Sequence, residues 1–167
     1  MQDNPYNAPA AAVADFAPAG EQVLAGRGMR LVAVLIDAVI MLAIMLPIMW
    51  FGGYFTGMLS GVEPSLGTQL LWSMGGFVAF VLVQGMPLAA SGQTWGKKLM
   101  KMKIVDLQGN KPSIGNLIGM RYLPTQAIGL VPFVGALYGL VNILFIFAED
   151  RRCLHDKIAG TRVVVAE

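Results

Sequence analysis

Charge is nearly absent from three long stretches of the chain. From Leu31 to Val62 the only charged residue is Asp37, from Pro64 to Gly96 there is none, and from Tyr122 to Ala148 there is none. A helix crossing the roughly 30 Å of bilayer hydrocarbon needs about 20 mainly apolar residues, so 30–51 and 69–90 each suffice for one span. Gly52, Gly53 and Gly57 end the first, and Pro87 falls at the close of the second. Residues 113–148 would reach about 54 Å as helix at 1.5 Å per residue. That is enough for two short crossings or one re-entrant hairpin, with its turn expected around Gly129–Gly135, where Pro132 stops one helix. Two other segments predict strands. LMKMKIVDLQGNKPS sets Leu99, Met102 and Ile104 among lysines before a Gly-Asn turn, and TRVVV is rich in β-branched residues. They can pair only if both lie on one side of the membrane. The predicted fold class is an all-α membrane protein with three to four transmembrane or re-entrant helices and a small cytoplasmic β element.

Composition supports this reading and narrows the function. Only 13% of positions are charged and 56% are hydrophobic, with mean hydropathy +0.62, whereas a soluble domain carries about 25% charged residues. Residues 1–26 are rich in Ala and Pro, without a positive residue or a continuous apolar run. They predict a disordered cytoplasmic tail rather than a signal peptide, with 27–167 as the transmembrane domain. The 12 Lys and Arg fall in three clusters. Arg27 and Arg30 precede the first span; Lys97, Lys98, Lys101, Lys103, Lys111 and Arg121 follow the second; Arg151, Arg152, Lys157 and Arg162 lie near the C-terminal end. The loop 52–68 has none. Short cytoplasmic loops hold the positive charge, so both ends are expected inside and 113–148 must cross an even number of times. A net charge of +2 argues against nucleic acid as a partner, and one Cys with one His offers no metal-ligand spacing. No cofactor or metal is expected.

The candidate chemistry lies in a few polar positions. Asp37 follows Arg30 by seven residues, which returns it to nearly the same helix face about 10.5 Å further along. An ionised Asp in hydrocarbon costs about 2.5–3.5 kcal/mol on insertion scales, so it should be paired, face a wet cavity or be protonated. It reads either as a proton or cation site or as a helix-to-helix clamp. Arg121 is the obvious candidate partner for it; alternatively it marks the cytoplasmic end of an apolar stretch. Gln84 and Asn142 are candidates to line the same polar interior, or form ordinary interhelical hydrogen bonds. His155, beside Asp156, reads as a proton relay or pH sensor, or as a solvated or capping residue. Lys97, Lys98, Lys101 and Lys103 form a lipid-facing basic loop that can attract anionic headgroups, or simply fix topology. No nucleophile elbow, phosphate loop or metalloprotease helix occurs, and no enzymatic activity is expected.

These residues together resemble the RDD family of small bacterial membrane proteins, named for one arginine and two aspartates. The resemblance covers about 24–165 and rests on GMRLVAVLIDAVI, SGQTWGKKLMKMKIVDLQGNKPS, Arg121 and RRCLHDKIAGTRVV. Arg30, Asp37 and Asp156 match the name-giving positions. The resemblance implies a fold and a polar triad in the bacterial inner membrane, with transport as its functional leaning; sodium or potassium/proton antiport has been attributed to some members. Two functions are therefore expected to compete. One is movement of a monovalent cation or proton through a homo-oligomer, with Asp37 exchanging a proton, Arg30 tuning it, and Asp156 with His155 at the entrance. The other is a non-transporting membrane adaptor or assembly factor in which Arg30, Asp37 and Asp156 form a structural clamp.

Overall fold

The computed structural model describes residues 22–131 and 133–166. Helix α1 spans Arg27–Phe51 and α3 spans Leu66–Ser91, and each is long and apolar enough to cross a bilayer. At Gly52 and Gly53, the latter with φ of +77°, the chain turns from α1 into the short α2, Tyr54–Leu59. Side chains along both long helices are bare, from Val39 at 65% exposed to Leu82 at 76%. Such surface is untenable in water and ordinary against lipid tails.

The buried core sits at the opposite end from that turn. After α3, Gly92 takes a left-handed φ of +67°, and a side chain there would strike the Ile104 carbonyl at 2.8 Å. The chain then runs back through α4, Trp95–Leu99, into β1, Met102–Asp106. Helix α4 lies beside the last third of α3, because Trp95 donates from its backbone N–H to Gln84 Oε1 at 2.9 Å and from its indole to the Val83 carbonyl at 2.8 Å. The part of α3 left below α4, residues 66–83, measures about 27 Å at 1.5 Å per residue, close to the hydrocarbon thickness. On its other face α4 meets α1 so closely that any side chain on Gly96 would overlap the Ala33 carbonyl.

The third apolar stretch folds as a hairpin of short pieces. A π-helical segment, Asn116–Tyr122, leads into α5, Leu123–Gly129, and after a turn α6 runs over Val134–Leu144 and ends in a 3₁₀ turn, Phe145–Phe147. Pro124 accounts for the π-turn, since in a regular α-helix its ring would clash with the carbonyl four residues back, at Met120. The hairpin turn falls within the expected 129–135; a side chain on Gly135 would meet the Gly129 backbone at 2.7 Å. Pro132, expected to stop the first arm, lies outside the described residues. Each arm reaches about 21 Å over 14 residues, short of a full span. Gln126 ties α5 to α3 through Ser73 Oγ at 2.9 Å.

Helix α7, Leu154–Ile158, and β2, Thr161–Val165, complete the fold. As the β-branched pattern predicts, β1 and β2 pair antiparallel, from Met102 opposite Val165 to Asp106 opposite Thr161. Residues 22–25, on the tail side of the boundary expected at 26, add to this sheet: Leu24 bridges Val164 and the Ala25 N–H donates to the Val163 carbonyl at 3.1 Å. The disordered tail expected before them, residues 1–21, lies outside the described residues. Ala25, Ala33, Leu88, Met102, Ile104, Leu117 and Val163 form the core beneath the sheet. The sheet therefore gathers the start of α1, the exit of α3 and the C-terminal strand at one end of the molecule. That juxtaposition generates a topological prediction. In a Cys153→Ser background, Gln108→Cys and Lys157→Cys are expected to react with an impermeant maleimide from the same side of sealed vesicles, and Glu63→Cys from the other. Labelling of 108 and 157 from different sides contradicts the pairing of β1 with β2.

Candidate functional site

Two polar centres sit in this cap, one carboxylate in each. The first belongs to Asp37. Its Oδ1 accepts from Gln84 Nε2 at 2.9 Å and from the Gly96 backbone N–H at 2.8 Å, and its Oδ2 accepts from Thr94 Oγ1 at 2.5 Å. Gln84 and Thr94 are buried, and Thr94 also caps α4 by accepting from the Lys97 N–H at 3.3 Å. Asp37 thus joins α1, α3 and α4 through neutral donors. Neither Arg30, Arg121 nor Asp156 reaches it among the described contacts. The expected Asp37–Arg121 pairing is replaced because the π-turn carries Arg121 toward the C-terminal helix instead.

The second centre is built on Asp156, which is fully buried. Arg121 Nη1 pairs with its Oδ1, and Arg30 Nη1 lies 3.7 Å from its Oδ2. Thr161 Oγ1 donates to Oδ1 at 3.3 Å, and the Cys153 N–H donates to Oδ2 at 3.1 Å. This last bond places Asp156 at the third position of α7, reaching back to its cap, as acidic residues at helix starts commonly do. Burial alone would push the Asp156 carboxyl upward, but Arg121 and Arg30 outweigh it and hold it below its ordinary 3.8. Removing one member of such a buried pair costs about 3–5 kcal/mol, because the other charge is left unpaired.

The arginines also fasten backbone. Arg30 donates to the carbonyls of Arg151 and Val163, and Arg27 to those of Ile146 and Phe147. Arg152 donates to the carbonyls of Thr161 and Asp156. Three guanidinium groups thereby tie the end of the hairpin, the irregular stretch after it, α7 and β2 to one another through backbone carbonyls.

His155 bridges to the hairpin. Arg121 Nη2, which can only donate, lies 3.0 Å from Nε2, so Nε2 accepts and the proton sits on Nδ1. Nδ1 donates to Asn142 Oδ1 at 2.9 Å. Burial and the neighbouring Arg121 charge lower the His155 pKa to about 3. A histidine held neutral in this way is poorly placed to relay protons near neutral pH, and its bonds to Arg121 and Asn142 make it neither solvated nor a simple cap. Cys153, His155 and Asp156 offer ligand atoms within 4.8 Å of one another, but a metal ion there would have to displace Arg121 from both Asp156 and His155.

Gln84 and Asn142 therefore serve different centres, not one shared interior. The basic loop also divides. Lys98 and Lys101 are exposed and Lys103 is partly so, whereas Lys97 is 8% exposed and turned inward, so it does not face lipid as expected. Sequence reasoning did not single out Thr94 or Thr161. Their signal was their place inside SGQTWGKK and AGTRVV, polar or small residues at the edges of apolar runs.

The sequence model of the RDD family matches residues 24–160. An uncharacterized Bacillus subtilis (strain 168) protein, YckC, is 30% identical over 144 residues, 85% of each chain. A second from the same organism, YxaI, is 38% identical over 88 residues, 52% of this chain and 53% of its own. The chain thus spans about half the length of YxaI. No solved structure matches.

The neutral His155 sets a pH dependence. The unfolded chain binds a proton near the ordinary 6.5 that the folded chain refuses until about 3. Stability is therefore complete above about 6.5 and falls as pH drops through the window, by at most about 1.4 kcal/mol per pH unit. The Asp156 contribution, with its carboxyl held below 3.8, survives until lower pH. Melting in detergent from about pH 7 to about pH 4.5 should show this decline in wild type, and a flatter profile in His155→Gln. Equal slopes contradict the neutral assignment.

Proposed function

The chain belongs to the RDD family, and from that membership we propose that this membrane protein is a non-transporting adaptor, built to hold a rigid cytoplasmic cap on a helical membrane base. The observation that carries this reading is the occupancy of Asp156: its two oxygens take two arginines, a threonine and a backbone N–H at once. A carboxylate bound by that many donors from separate elements is suited to holding them together. An ion carrier has to exchange partners during each cycle. The lowered pKa of His155, about 3, speaks against a proton relay at the same centre.

Charge bias supports the orientation. The 12 Lys and Arg lie at or near the cap end of the fold, while the α1–α3 loop has none, so the cap faces the cytoplasm of a bacterial inner membrane. With both strands of the sheet on that side, the hairpin from Asn116 to Phe147 enters and returns. Lys98, Lys101 and Lys103 then present the basic surface toward a partner or the leaflet.

Proton or cation exchange is the second reading, and one observation favours it: among the described residues Asp37 is held by neutral donors only, so its charge has no cationic partner. Exchange of a proton for a monovalent cation there would couple two fluxes, in an oligomer large enough to enclose a path.

The two readings separate in sealed liposomes carrying an internal pH dye. Under sodium, lithium and potassium pulses the adaptor reading expects no cation-dependent proton movement from wild type or from Asp37→Asn. Movement in wild type that disappears in Asp37→Asn overturns it in favour of exchange.

A further inference from the structure

At the end of the molecule away from the cap, the two long helices and the turn between them enclose a cleft. It measures about 350 Å³ and is lined by Met49, Tyr54, Pro64, Gln69, Trp72 and Ser73, which come from α1, α2, the loop before α3 and α3 itself. That volume lies at the small end of ligand sites, ~300–1,000 Å³. Two of its walls are aromatic. The Tyr54 and Trp72 rings stand edge to face, with centroids 5.5 Å apart and planes at 74°. Backbone seats the larger ring, since a Cβ on Gly52 would lie 2.5 Å from Trp72. Trp and Tyr at a bilayer interface ordinarily lie out among the headgroups, as Trp50 does at 64% exposed. Trp72 and Tyr54 are partly buried instead and line the cleft.

The free polar groups of the lining are acceptors, and the charge near it has one sign. Gln69 donates its Nε2 to the Pro64 carbonyl at 2.9 Å, which ties the loop to α3 and leaves Oε1 to accept. Among the described residues neither that oxygen nor the Tyr54 hydroxyl has a hydrogen-bond partner. No Lys or Arg occurs between Arg30 and Lys97, and Glu63, the chain neighbour of Pro64, is the only charged residue of the loop 52–68. Glu63 is exposed and makes no ion pair among the described residues. Ring faces attract cations through their quadrupole, Trp most strongly. A corner of two rings with an unpaired carboxylate nearby therefore favours a cation, and the acceptors favour one that carries N–H donors. A quaternary ammonium has no proton to offer Gln69.

We propose that this cleft binds a primary alkylammonium group, supplied as the headgroup of phosphatidylethanolamine or as a small free amine. Tyr54 and Trp72 face the cation, Gln69 Oε1 accepts from it, and Glu63 supplies the opposite charge. The site joins α1, α2 and α3, so its occupant steadies the end of the helix pair that the cap does not reach. This goes beyond the adaptor reading and holds whether or not the protein moves ions.

The test follows melting of the full chain in phosphatidylglycerol nanodiscs, with part of the lipid replaced by phosphatidylethanolamine or, as the quaternary control, by phosphatidylcholine. A parallel series in phosphatidylglycerol alone sets ethanolammonium chloride against sodium chloride at equal ionic strength. Trp72→Leu removes the ring, Glu63→Gln removes the charge at an exposed position where folding is safe, and Trp50→Leu controls for an interfacial aromatic outside the cleft. Wild type and Trp50→Leu should melt at least about 3 °C higher with the primary ammonium, while Trp72→Leu does not respond and Glu63→Gln keeps less than about half of the shift. A response to phosphatidylethanolamine alone assigns the lipid headgroup, and a response to ethanolammonium alone assigns the free amine. No response in wild type, an equal response to phosphatidylcholine, or an undiminished response in Trp72→Leu or in Glu63→Gln each overturns the site. If Trp72→Leu fails to fold, Glu63→Gln and the phosphatidylcholine control still decide.

Discussion

One buried carboxylate organises the end of the molecule where the chain is compact. Asp156 takes Arg30 from α1 and Arg121 from the π-helical segment, while its own helix α7 leads directly into β2. Lipid-exposed helices gain little from the hydrophobic effect, because acyl chains are as apolar as leucine. The bare surfaces of α1 and α3 therefore say little about how the helices are arranged. Position has to come from polar contacts and from close packing at the cap. Asp156 supplies the first, and the Gly96 contact with α1 supplies the second.

The Asp37 centre repeats the device with different chemistry. Its donors are an amide, a hydroxyl and a backbone N–H, so it fixes α4 beside α3 without a counter-charge. Where Asp156 gathers an excess of cations, Asp37 has none. The two name-giving aspartates thus stand in opposite electrostatic settings in one cap. That contrast explains why one suits a permanent clamp and the other is the natural place to look for exchange.

Much of the scaffold was legible in the sequence. Charge-free runs located α1 and α3, glycines marked the end of α1, and alternation with β-branched residues located β1 and β2. The clustering of lysine and arginine predicts an even return through 113–148, where the chain folds as a hairpin of short arms, with β1 and β2 paired at one end. The site was legible only as a set of residues. Asp37 is legible only as paired, wet or protonated, because a backbone N–H such as that of Gly96, which holds it, leaves no mark in composition. Arg121 is legible as a candidate partner for Asp37 or as the end of an apolar stretch, not as the partner of Asp156, because its direction depends on the π-turn before Pro124, a local change of helical register that apolar periodicity does not carry. Lys97 and Lys98 are neighbours in sequence with opposite burial, since α4 lies against α1 on one face only.

Asp156 and Arg121 act together to hold the cap. A double-mutant cycle with Arg121→Met and Asp156→Leu, read by denaturation in detergent, measures that coupling directly. The expected coupling free energy is about 2 kcal/mol or more, with the double variant more stable than the sum of the single losses allows. A coupling below about 0.5 kcal/mol, within the range of independent sites, would contradict it.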